Sequence, residues 1–172
     1  MKKPTSIKTD KAAVATQSDA ATSPQVPQQP SSGGSIDRLR NRIFQVALIV
    51  LVSLWVYSPS YHGDWLWDDD YLITANPVVQ SPDGFASFWV EPKTADYFPL
   101  TMSLLWLMWK WFGMDSTGYH VVSVLLHALG ACLVWALLRT IVLRGAWLAG
   151  LIFAVHPIAV ESVAWVSELK NT

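Results

Sequence analysis

Hydrophobic residues in this chain come in blocks rather than in alternation. Residues 1–36 carry no aromatic side chain and no apolar period, only stretches rich in Ser, Thr, Gln, Ala and Pro. From Ile43 to about Tyr57 the chain turns apolar, interrupted by Gln45 and Ser53. A second apolar block runs from Val121 to Leu138, with His127 its one strongly polar member. A third opens at Ala146, just after Arg139 and Arg144, and continues through Val155 toward Val160. Continuous blocks of this kind predict helices in lipid, where a span needs about 20 apolar residues. The predicted spans are residues 43–60, 120–139 and 145–160, with the interfacial aromatics Tyr57 and Tyr61 extending the first.

The stretch Pro99–Phe112 is also apolar, but its 14 residues reach only about 21 Å as a helix, short of a hydrocarbon core of about 30 Å. Lys110 stands among Trp106, Trp109 and Trp111, a mixture suited to the headgroup boundary. It is expected to be an interfacial helix inside the first outward loop. Basic residues set the orientation. Arg38, Arg40 and Arg42 before the first span and Arg139 and Arg144 between the last two belong on the cytoplasmic side. The loop of about residues 61–118 then faces outward and holds Asp64, Asp68, Asp69, Asp70, Asp83, Glu91 and Asp96. Two crossings separate the basic ends; counting Pro99–Phe112 as a third would put them on opposite sides.

Residues 1–42 are expected to be a disordered cytoplasmic tail, too polar to offset the entropy of ordering. A basic lead this long, followed by the poor cleavage site Ser58-Pro59-Ser60, indicates a retained signal anchor. At the far end, Pro157 is suited to open a new helix, on which Glu161, Trp165 and Glu168 would share one face. The chain stops at Thr172 without a helix-ending residue, so residues 43–172 are expected to be part of a longer membrane domain.

Composition narrows the class. Of 172 residues, 52% are hydrophobic and 15% charged, against about a quarter charged in an ordinary soluble domain. The single cysteine, Cys132, excludes an internal disulfide framework. Nucleic acid is not an expected partner.

The candidate chemistry starts at Asp68-Asp69-Asp70, between Trp67 and Tyr71. Adjacent carboxylates repel and resist burial, so a solvated loop is the plain reading. Two functional ones remain open beside it: a hard-cation site built from carboxylate oxygens, such as a divalent metal at Asp69 and Glu161, and a general base that takes a proton from a hydroxyl. His156 and Glu161 are expected near the same face; His156 reads more readily as a helix cap than as a ligand. Lys110, His120 and His156 are candidates to meet a lipid phosphate. His127, inside a span, is read as a neutral imidazole bonded to a neighbouring helix.

These residues occur in a familiar order: Trp67-Asp68-Asp69-Asp70-Tyr71, Asn76-Pro77, Phe98-Pro99-Leu100, Phe112-Gly113-Met114, Gly118-Tyr119-His120, and Phe153-Ala154-Val155-His156-Pro157 through Glu161-Ser162-Val163-Ala164-Trp165. The run resembles the N-terminal part of GT-C glycosyltransferases that carry C-terminal tetratricopeptide repeats. These include the animal transmembrane and tetratricopeptide-repeat O-mannosyltransferases and bacterial relatives that look closer still. The resemblance implies an all-α membrane protein, the N-terminal part of a GT-C bundle, in a bacterial inner membrane. It implies a polyprenyl-phosphate-linked sugar as donor, a protein Ser or Thr as acceptor, and inversion at the anomeric carbon. By spacing to Asn76-Pro77 in the animal relatives, Asp68 is the implied catalytic carboxylate, with Asp69 in support; Asp70 falls where they have an apolar residue. The missing repeats leave an alternative of another class, a non-catalytic membrane anchor or assembly module.

Overall fold

The computed structural model describes residues 33–90 and 97–171; the tail up to residue 32, and Glu91, Lys93 and Asp96, lie outside the described residues. Among the described residues every regular element is helical. Two helices are long and apolar enough to cross a bilayer, and a bent pair makes a third crossing if counted as one span. This is an all-α membrane protein.

Helix α1 runs from Gly33 to Val56. Residues 33–42, placed with the tail by composition, are therefore helical, as continuation of the span's hydrogen-bond ladder is favourable once a helix is nucleated. A 3₁₀ turn, Ser58–His62, follows. The loop then folds into a π-helical turn at Asp70–Thr74 and two short helices, α2 (Pro77–Gln80) and α3 (Gly84–Val90). Asn76 caps α2, its side chain accepting from the N–H groups of Val78 and Val79, while Pro77 sits at the position that needs no N–H.

Helix α4 spans Pro99–Phe112, the bounds expected from the sequence. Its inner face buries Leu105 and Met108 with Ile73, Tyr119, Val166 and Leu169. Indole N–H groups bolt the loop helices to it: Trp106 donates to the Ser81 carbonyl at 2.7 Å and Trp89 to the Ser103 hydroxyl at 3.0 Å. Asp115 then caps α5 (Ser116–Thr140), accepting from Thr117 N–H.

On α5 a row of leucines faces outward, while the inward face mixes small and polar residues with Tyr119, Val124 and Trp135. Ser123, His127, Ala128 and Ala131 are buried, whereas Leu125, Leu129, Leu133 and Leu137 form an exposed row at four-residue steps. Burying leucine away from hydrocarbon gains little, while small residues let helix backbones approach. Helix α6 (Ala146–Val155) uses this surface. Ile49 of α1, Ala131 and Trp135 of α5, and Ala146 and Ala154 of α6 form one buried cluster. His127 gives its Nε2 hydrogen to the Ala154 carbonyl at 3.1 Å, the interhelical bond expected of a neutral imidazole.

The contact is close enough to test. A Cβ on Gly150 would lie 2.8 Å from the Trp135 Cβ and 3.1 Å from the Ala131 carbonyl oxygen, whereas one on Gly130 would meet nothing nearer than 4.0 Å. Gly150→Ala is therefore expected to cost about 1–3 kcal/mol by overpacking. Gly130→Ala should be neutral or slightly stabilising, since alanine is the better helix former. Thermal unfolding in detergent compares the two; equal midpoints would remove the close-packing account.

The third span differs from its expected form. Helix α6 is ten residues long, about 15 Å, and it meets the Pro157–Ala164 segment at a 46° bend. His156 is extended there, and Pro157 offers no N–H to carry the ladder on. A 3₁₀ turn at Pro157–Ala159 leads into α7 (Val160–Ala164). Trp165 is extended again, before a last 3₁₀ helix at Val166–Asn171. The expected single face of Glu161, Trp165 and Glu168 is thereby broken.

Candidate functional site

The three aspartates have three different surroundings. Asp69 is buried, 1% exposed. One of its oxygens accepts from the Leu66 N–H at 2.9 Å; the other accepts from the Ser167 N–H at 2.8 Å and from the Ser167 hydroxyl. The Trp165 indole N–H donates to the Leu66 carbonyl at 3.3 Å, which also accepts from the Asp69 N–H. The acidic turn is thus fastened to the segment after α7. Charge-assisted bonds to a buried carboxylate are among the stronger hydrogen bonds.

Between these fixed points the chain is forced into an uncommon shape. Trp67 has φ of 43°, left-handed backbone that a bulky residue adopts only when its surroundings impose it. The residue is 83% exposed, and its ring meets Trp165 edge to face at 5.6 Å. Asp68 comes next and is exposed, with no hydrogen bond or ion pair among the described residues. Asp70 is exposed too, but it is turned to its own helix, where the Thr74 hydroxyl donates to it at 2.6 Å. One carboxylate of the three is thus held outward and left uncommitted.

Two recesses flank this turn. A groove of about 390 Å³ is lined by Leu66, Trp67, Val160, Glu161, Ala164 and Trp165. It brings exposed Glu161 beside Leu66 and Trp67, the residues that precede Asp68. A second recess, of about 350 Å³, has Tyr71, Asn76, Phe98, Met102, Ser167 and Lys170 in its wall. The Lys170 ammonium lies 5.7 Å from the Phe98 ring centre and 3.2 Å from Glu168. Ser167 and Lys170 were not singled out from the sequence: Ser167 lies 98 residues from its partner Asp69, and no local pattern marks it.

The remaining candidates are placed as follows. His120 is 2% exposed; its Nε2 donates to the Gly63 carbonyl at 3.3 Å, and its buried Nδ1 has no partner. It straps α5 to the loop. His156 is exposed and caps the 3₁₀ turn, its Nδ1 accepting from the Ile158 N–H at 3.2 Å. Lys110 is exposed on α4, over the Trp106 ring at 5.2 Å. Among the described residues no three His, Cys, Asp or Glu side chains converge on one point fit for a metal ion. Asp69, a candidate ligand with Glu161, has both oxygens engaged by the three donors described above.

No family model matches the chain, and no solved structure does. Among curated proteins, it is 28% identical over 154 residues to a protein O-mannosyl-transferase of Caenorhabditis elegans, covering 80% of this chain and 21% of the relative. It is 31% identical over 127 residues to Protein O-mannosyl-transferase tmtc2 of Xenopus laevis, covering 67% of this chain and 15% of the relative. It is 29% identical over 150 residues to Protein O-mannosyl-transferase TMTC4 of Mus musculus, covering 72% and 20%. The chain spans about a fifth or less of the length of these relatives.

Proposed function

We propose that this chain is the N-terminal part of a glycosyltransferase of the protein O-mannosyl-transferase family, acting in protein O-glycosylation. The observation that carries this reading is Asp68, the one uncommitted carboxylate of the three adjacent aspartates, held outward between two recesses by a turn fastened on both sides. The donor is a sugar on polyprenyl phosphate and the acceptor a Ser or Thr hydroxyl of a protein. Asp68 takes the hydroxyl proton as its oxygen forms a bond to the anomeric carbon. The carbon–oxygen bond to the lipid phosphate breaks, the phosphate keeps the electron pair, and the configuration inverts. Asp69 supports this by orienting the turn. Lys110 and His156 are the exposed groups suited to meet the phosphate. α4 lies along the membrane boundary and shapes the donor's entrance.

The test is transfer by the full-length protein in membranes. Radiolabel should pass from polyprenyl-phosphate mannose to a Ser/Thr-containing acceptor. Transfer from a nucleotide sugar alone would reject the lipid donor; no transfer from any donor would favour a non-catalytic anchor.

The reading also requires the acidic loop to face outward, in the bacterial case across the inner membrane, with the N-terminus cytoplasmic. Its support is that Arg42 and Arg139 line one groove, so the basic residues of the first and second spans share one end of the bundle. With Cys132 replaced by Ala, single cysteines at Ala86 and Thr140 should label from opposite sides, Ala86 from outside. Labelling of position 86 from the cytoplasm would overturn the orientation.

A further inference from the structure

At the end of the helix bundle that carries the arginines, α1 and α5 enclose a groove of about 390 Å³ lined by Arg42, Ile43, Val46, Ala47, Trp135 and Arg139. Arg42 begins the apolar stretch of α1, and Arg139 closes that of α5. Both cations therefore stand at the mouth, while Val46 and Ala47 lie a helical turn deeper. The Arg139 guanidinium is propped over the Trp135 ring at 5.5 Å, and Arg42 has no ion pair or hydrogen bond among the described residues. The other arginines of α1 are engaged: Arg38 donates to the Gly34 carbonyl at 2.7 Å, and Arg40 pairs with Asp37 at 2.9 Å. Among the described residues no carboxylate lines the groove.

We infer that this groove binds one anionic phospholipid of the surrounding membrane, its phosphate between Arg42 and Arg139 and an acyl chain along Ile43, Val46 and Ala47. Charge complementarity selects the occupant. Two guanidinium groups with no counter-charge among the described residues favour a phosphate, and an arginine fork matches its oxygens. The apolar floor beneath them offers nothing to a free phosphate ion, while a lipid presents charge and hydrocarbon in the same order as the groove. Basic recesses between spans at the cytoplasmic face recognise lipid headgroups by the same physics. The site is independent of the glycosyltransferase reading, since it lies at the other end of the spans from the acidic turn.

The test uses the full chain in nanodiscs of phosphatidylcholine with a minor fraction of phosphatidylglycerol, with retained lipid counted by native mass spectrometry. The wild type should retain one phosphatidylglycerol in preference to phosphatidylcholine. With each arginine near the surface contributing on the order of 1 kcal/mol, the pair Arg42→Gln, Arg139→Gln should weaken retention about thirtyfold. Ala47→Trp, which fills the groove and keeps both arginines, should weaken it as well. Unfolding temperatures in pure phosphatidylcholine check that each variant is folded. Equal retention of the two lipids would overturn the site, as would full retention by Ala47→Trp or displacement of the lipid by millimolar inorganic phosphate. A span from elsewhere in the full chain seated in the groove would appear as no retained phosphatidylglycerol, and that too would overturn it.

Discussion

Asp68→Asn should lower sugar transfer by the full-length protein by about 10²–10⁴-fold, the usual contribution of a positioned general base. An acceptor hydroxyl has a pKa far above neutrality, so attack on the anomeric carbon needs its proton removed as the bond forms. Asparagine keeps the size of the side chain and cannot take that proton. Because Asp68 is exposed and makes no hydrogen bond or ion pair among the described residues, the substitution leaves no buried donor stranded. Membrane insertion and unfolding temperature should stay at wild-type values, which separates a chemical defect from a folding one. Asp70→Asn should change transfer little, since that side chain serves Thr74. Near-normal turnover in Asp68→Asn would sink the assignment, and if loss followed Asp70→Asn instead, the base would be the third acid.

The largest effect on stability is expected at Asp69. Asp69→Ala removes the acceptor for three groups at once: the Leu66 N–H, the Ser167 N–H and the Ser167 hydroxyl. Stranding a buried donor costs about 1–3 kcal/mol, and the bonds lost here involve a charged partner. A total of roughly 3–5 kcal/mol follows, with non-additivity within one network holding it below a simple sum. Asp69→Asn should fall between, because one amide face can still accept from Ser167 while the other presents hydrogens to the Leu66 N–H. Ser167→Ala gives up only the hydroxyl bond and should cost about 1–2 kcal/mol. Thermal unfolding in detergent ranks the three. If Asp69→Ala melts with the wild type while its transfer becomes dependent on added divalent cation, Asp69 is a metal ligand and the fastening role is wrong.

How much of this was legible along the chain differs from element to element. Pro99–Phe112 emerged with its bounds intact because Phe98-Pro99 and Gly113 punctuate it: Pro99 occupies the first turn, and Gly113 takes a φ of 55° that favours glycine. The second span began at Ser116 rather than near residue 120 because Asp115 supplies a cap, a one-residue signal outweighed by the apolar count. His156 was readable as a cap because its partner, the Ile158 N–H, stands two residues on, and His127 as an interhelical donor because an ionisable group within a span needs a partner on a neighbouring helix. The division of labour among the three aspartates was a different matter. Spacing to Asn76 singled out Asp68 by resemblance, but nothing local shows that Asp69 is buried.

What the sequence by itself determined is the solvent each block prefers. Long apolar stretches, their aromatic and basic borders and the acidic loop between them decide which parts sit in lipid and which in water, because transfer free energy depends on composition over a window of residues. What only the tertiary structure decided is which polar groups answer one another across that frame. The bend at His156-Pro157 returns the chain so that Ser167 meets Asp69 and Trp165 meets Leu66, and the packing of α1 on α5 brings Arg42 to the groove of Arg139. A hydrogen bond is made within a few tenths of an ångström and at a set angle, so its partner is fixed by where distant segments come to rest, and no window of sequence records that.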